Sequence, residues 1–89
     1  METTIVTLSI SNTFEEWAAA FDGSETSAKH SEFGLEPVFR GVLKGDPQQV
    51  VVVIKSEPGA VERFLLANEL YISSHGAIPE TAEVSTWLE

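Results

Sequence analysis

The chain has 89 residues, which bounds it to one domain, residues 1–89, with a single core near the size where burial only just exceeds conformational entropy. Fourteen acidic residues against five basic ones give a formal charge of −9, and Lys29, Arg40, Lys44, Lys55 and Arg63 are scattered along the chain, so no basic patch exists and nucleic acid is not an expected partner. There is no cysteine, which excludes a disulfide framework and a thiolate metal site.

The opening METTIVTLSI carries neither a basic segment nor a long apolar run, and no stretch approaches the roughly 20 apolar residues that span a bilayer. A membrane partner is therefore not expected, and the reading is cytoplasmic. Thr4 to Ser11 alternates, with Val6, Leu8 and Ile10 on one face and Ile5, Thr7 and Ser9 on the other, which predicts a first strand. Thr13 and Glu16 then have capping-box spacing, and a helix starts there. Phe14, Trp17, Ala18 and Phe21 form its apolar stripe. Asp22-Gly23-Ser24 breaks the pattern, after which Ser24 or Thr26 can cap a short second helix that runs to about Phe33 and stops at Gly34.

The stretch from Leu35 to Lys55 reads as a hairpin. Its first arm places Leu35, Phe39 and Leu43 on one face and Glu36, Val38, Arg40, Val42 and Lys44 on the other. Gly45, Asp46 and Pro47 are turn formers. Val50, Val51, Val52, Val53 and Ile54 follow, a β-branched run suited to a central strand packed on both faces.

Pro58 suits the first turn of the next helix. Val61, Phe64, Leu65 and Ile72 make its buried stripe, with Asn68 set among them, and Gly76 is a left-handed cap. Ala82 to Leu88 alternates again and predicts a last strand.

The order β, α, β, β, α, β predicts an α+β fold, the ferredoxin-like plait of four antiparallel strands with helices on one face. Helices cover only one side of such a sheet, yet the third strand is apolar on both. Ile5, Val38, Val42, Val51, Val53 and Trp87 would then form an exposed patch, and a homodimer packed sheet on sheet is the expected partner.

The H-x-x-x-G segment at His30 to Gly34, the F-R-G at Phe39 to Gly41 and the G-D-P turn before VVVVI resemble a small bacterial domain family, found notably in cyanobacteria. That family is related in architecture to the dimeric α+β barrel proteins. The resemblance implies the architecture and dimerisation. Among dimeric α+β barrels are cofactor-independent monooxygenases, haem-binding enzymes, muconolactone isomerase-like enzymes and proteins without known activity.

Candidate chemistry is sparse. His30 follows a helical stretch where a cleft can open, and its imidazole could accept a substrate proton, against the plainer role of a helix-end histidine bonded to a carbonyl or water. Arg40 could bind a carboxylate, or pair with Glu36 or an acidic residue of a partner. Trp17, Phe21 and Tyr71 could line a ligand pocket, though aromatics at this spacing also make ordinary core. Asn68 is either a fastener between helix and loop or a polar group in a cavity. His30 and His75 lie 45 positions apart without carboxylates at ligand spacing, so neither metal nor cofactor is expected.

Three readings follow: a homodimeric α+β barrel domain that binds a small apolar ligand between sheet and helices, a small cofactor-independent monooxygenase- or isomerase-like enzyme using His30 and Arg40, and a protein-interaction module acting through the open sheet face. Convergence of His30 and Arg40 on one enclosed cavity would favour the enzyme.

Overall fold

A computed structural model describes residues 1–89. The elements run β1 (Glu2–Ile10), α1 (Phe14–Asp22), α2 (Ser24–Glu32), β2 (Glu36–Leu43), β3 (Asp46–Ser56), α3 (Ala60–Ala67), α4 (Glu69–Ser74) and β4 (Ala77–Leu88). The strands form one four-stranded sheet in the order β2-β3-β1-β4, antiparallel at each pairing, with β1 and β3 central. This is the ferredoxin-like plait expected from the element order.

The alternation read from the sequence sets which face is covered. On β1 and β3, Val6, Leu8, Ile10, Val50, Val52 and Ile54 are buried beneath the helices, where Trp17, Ala18, Val61 and Phe64 complete the core. Cross-strand partners share a face, so Ile5 opposite Val53 and Thr7 opposite Val51 lie on the other side, where they are only half-buried. That side carries no helix.

α1 begins as its capping box requires, with the Thr13 hydroxyl accepting from the Glu16 amide and the Glu16 carboxylate accepting from the Thr13 amide. α2 has Gly23 as its cap and no side-chain cap bond, so neither Ser24 nor Thr26 takes that part. Thr26 is buried instead. The hairpin turn is tighter than expected: Leu43 pairs with Asp46, leaving Lys44 and Gly45 as the loop, with Gly45 at φ 97° and Asp46 and Pro47 already in β3.

Three further differences have local causes. The helix after β3 starts at Ala60 behind a left-handed Gly59, so Pro58 precedes it rather than filling its first turn. It breaks into α3 and α4 at Asn68, whose amide side chain donates to the Phe64 carbonyl at 3.2 Å. A mid-helix Asn competes for backbone groups, and here it ends the first segment. β4 begins at Ala77, five residues ahead of the expected Ala82: Ala77 and Ile78 pair with Ile10 and Ser9, and a register shift between Thr7 and Ser9 leaves residues 79–82 without partners on β1. The Thr81 hydroxyl accepts from the Ser9 amide at 2.8 Å across that irregularity.

β2 changes the face assignment. An irregularity between Pro37 and Phe39 shifts the phase by one residue, so Phe39 sits opposite Val53, and Arg40 and Val42 sit opposite Val52 and Val50. Phe39 therefore belongs to the open face, and Arg40 and Val42 to the helix side, the reverse of the sequence expectation. The Phe39 ring lies over Gly41, where an added Cβ would meet it at 3.1 Å. Trp87, opposite Thr3, takes its expected place on the open face. No helix is long and apolar enough to cross a membrane.

Candidate functional site

Between the sheet and the two helical arms lies a cavity of about 90 Å³. Its floor is Val6, Leu8, Val52 and Ile54 of the central strands, and its walls include Trp17, Phe21, Phe64, Leu65 and Ile72. Twelve of its fifteen lining residues are hydrophobic, so the few polar ones determine what orientation a guest can take. Those are Thr26, His30 and His75, and Tyr71, counted among the twelve, adds its hydroxyl.

His30 is 6% exposed, on the inner face of α2. Its ring stands between Phe21 and Phe64, with centroids 5.1 and 5.3 Å away. Burial in this aromatic setting holds its pKa below the ordinary value of 6.5, so the imidazole is neutral at neutral pH. The ring nitrogens make no hydrogen bond within the chain, and the only sealed polar side-chain atoms without a partner are Thr4 Oγ1 and Asn12 Oδ1. Both imidazole nitrogens thus keep some accessible surface.

Tyr71, on α4, reaches Thr26 on α2 with an O···O distance of 2.6 Å. Thr26 gives its single hydroxyl hydrogen to the Ala20 carbonyl at 2.7 Å, so the Tyr71 hydroxyl is the donor of the pair. The bond ties α1, α2 and α4 together over the cavity. The His75 ring meets the Tyr71 ring edge-on at 4.7 Å, and Lys29 Nζ stands 4.6 Å from the centroid of the same ring.

On the other side of His30 is a second, more open space of about 320 Å³, lined by Phe21, Asp22, Ser27, His30, Ser31, Leu35 and Pro37. Phe21 and His30 line both spaces. Asp22, at the end of α1, is held in a two-point ion pair by Arg40, whose Nε donates to Asp22 Oδ1 at 2.9 Å and whose Nη2 donates to Oδ2. The hydrogen bonds from Arg40 hold the Asp22 carboxyl below its ordinary pKa, and the same bonds raise that of Arg40. The guanidinium also stands 5.6 Å from the Phe14 centroid.

Of the residues named from the sequence, Trp17, Phe21, His30 and Tyr71 come together around one cavity. Arg40 and Asn68 do not: Arg40 is committed to Asp22, and Asn68 fastens the break between α3 and α4. His30 and Arg40 therefore do not converge on an enclosed site. Thr26 was read only as a helix cap and His75 only as a histidine remote from His30 in the sequence, and the cavity includes both. No three His, Asp or Glu side chains gather as a metal site would require.

A family model described as "Domain of unknown function (DUF3764)" matches residues 1–89. No curated protein matches the chain. Among solved structures, a monooxygenase of Streptomyces coelicolor in complex with the ligand nanaomycin D is similar at 12% identity and a TM-score of 0.68, with 99% of this chain and 86% of that one covered. A NIPSNAP family protein with unknown function from Agrobacterium tumefaciens is similar at 15% identity and 0.65, covering 98% and 86%. SnoaB, a cofactor-independent oxygenase from Streptomyces nogalater, is similar at 15% identity and 0.59, covering 99% and 91%. At these identities the likeness shows a shared ferredoxin-like α+β fold.

Proposed function

We propose that this chain, which belongs to the DUF3764 family, binds a small, largely apolar molecule between its sheet and its helices, with His30 as the principal polar contact. The supporting observation is the apolar cavity of about 90 Å³ with a neutral, unpartnered imidazole in its wall. Apolar cavities of this kind stay dry and take up apolar guests. Trp17, Phe21 and Tyr71 would frame the guest; Asn68 would act at one remove, by setting the angle of α4.

Xenon tests the reading, because it enters apolar cavities without needing a polar contact. The expected result is a saturable change in the xenon resonance with the native chain, abolished by Ala20→Leu, which pushes a larger side chain into the same space. A response indistinguishable from that of the filled variant would overturn the cavity as a binding site.

A catalytic reading has one specific support: an imidazole kept neutral beside an apolar cavity is in the state a general base needs. Two of the fold neighbours above are oxygenases by name, which supports keeping the alternative of a cofactor-independent monooxygenase- or isomerase-like enzyme. In that reading His30 takes the proton, and Arg40 serves only to hold Asp22. Turnover of a phenolic probe that disappears in His30→Gln while the probe still binds would establish it.

The open face is proposed as a homodimer interface. Ile5, Val51 and Val53 form its centre, with Phe39 and Trp87, 58% and 61% exposed, at its flanks. Docking of a different protein on the same face is the alternative, and a stable monomer on sedimentation of the isolated chain would favour it.

A further inference from the structure

The inner cavity is small. Benzene occupies an engineered apolar cavity of about 150 Å³, so about 90 Å³ holds a branched alkyl group but not a whole ligand of ordinary size. The remainder of a bound molecule must extend beyond it, and the outer cleft is the adjoining space, set off from the inner cavity only by the side chains of Phe21 and His30, which line both.

The cleft has a distinct chemistry. Ser27 and Ser31 stand one helical turn apart on α2, on the same side as His30, and neither hydroxyl is engaged by another side chain. The only charged side chain in its lining is Asp22, and its carboxylate is ionised. The cations nearby are spoken for: Arg40 is bound at two points to Asp22, and Lys29 lies over the Tyr71 ring. The net charge of −9 adds a negative field around the whole molecule.

We infer that the outer cleft is a recognition site for the head of the ligand, and that this head is an uncharged hydrogen-bond donor or a cation, a hydroxyl or an amine, and not a carboxylate or phosphate. The inference rests on the binding reading given above and deepens it. An alkyl tail fills the inner cavity, His30 accepts from or donates to the polar atom at the junction, and Asp22 with Ser27 and Ser31 accepts the donor hydrogens. A carboxylate head would meet Asp22 without a free counter-charge and lose its hydration for no return.

Three probes with one tail separate the possibilities: 3-methylbutan-1-ol, 3-methylbutan-1-amine and 3-methylbutanoate, titrated into the full chain and followed by backbone and indole NMR shifts. The amine and the alcohol should shift Trp17 together with Ser27 and Ser31, and the carboxylate should bind at least about tenfold more weakly than the amine. Asp22→Asn should remove the advantage of the amine and, by freeing Arg40, strengthen the carboxylate. Equal binding of all three, or an order unchanged in Asp22→Asn, overturns the assignment of the cleft while leaving the inner cavity in place. If no probe shifts Trp17 and xenon also gives no saturable response, the binding reading itself fails.

Discussion

Val53→Asp tests what covers the uncovered face of the sheet. Val53 lies at its centre, with Ile5 opposite on β1 and Phe39 opposite on β2. Phe39 and Trp87 are 58% and 61% exposed; an aromatic side chain offers about 200 Å², so the four rings of a pair leave roughly 480 Å² to be covered. At about 25 cal/mol per Å² that is about 12 kcal/mol of gross stabilisation. Association costs about 4–15 kcal/mol, so the aliphatic centre decides whether a pair persists. Two carboxylates placed there without partners cost at least about 2 kcal/mol each, which weakens the dissociation constant by about a thousandfold. In a monomer the position is half-buried and the fold cost is about 1–2 kcal/mol. Sedimentation equilibrium at micromolar concentration should give a native dimer and a folded Val53→Asp monomer. A native monomer, or dimers of unchanged strength for both Val53→Asp and Val51→Asp, would refute the reasoning.

Burial holds the His30 pKa below 6.5, so as the pH falls through that value the unfolded chain takes up the proton first and stability declines. His30→Leu should flatten the fall in urea midpoint between about pH 7.5 and about pH 5.5, and because Asp22, Tyr71 and His75, which line the same spaces, are unchanged, equal slopes would count against the assignment. Gly76 has φ 97° and an added Cβ would lie 2.3 Å from Asn12 Oδ1; Gly76→Ala should cost about 2–4 kcal/mol by denaturant unfolding. Asn12→Ala in that background should recover part of the loss, and no recovery would show that contact with Asn12 is not the cause. Ala20→Leu should raise the melting temperature by several degrees by filling space next to Trp17 and Phe21, and a fall would mean the cavity is not vacant volume.

The covered parts of the fold were legible because their signals are local. The capping box at Thr13 and Glu16, the branched run from Val50 to Ile54 and the alternation of β1 each state their geometry within a few residues. β2 was misread because one extra residue near Val38 shifts every later side chain to the opposite face, and nothing in a count of alternate positions marks it. Pro79 hid the start of β4 in the same way, since a proline argues against a strand unless the pairing is already broken there. That Trp17 and Phe21 share one stripe of α1 followed from helical spacing, though not that they would line a cavity rather than fill the core. The part of Thr26 and His75 did not follow, because it depends on α2 meeting α4 through the Tyr71 hydroxyl, a contact between residues 45 positions apart.

The two faces of the sheet are linked through stability. A cavity of about 90 Å³ forgoes about 2 kcal/mol of packing at roughly 24 cal/mol per Å³, a large share of the net stability of about 5–15 kcal/mol that a domain holds. A chain of 89 residues has little surplus core from which to make this up. Its β1 and β3 strands, however, carry apolar side chains on both faces, and the open face is what a second copy would bury. Dimerisation would then supply burial that the helix side leaves unused, and would let the space around His30 stay vacant for a guest rather than being closed by larger side chains. A dimer-breaking change at Val53 should on this account also lower tolerance for any further enlargement of the cavity, a coupling between residues that do not touch.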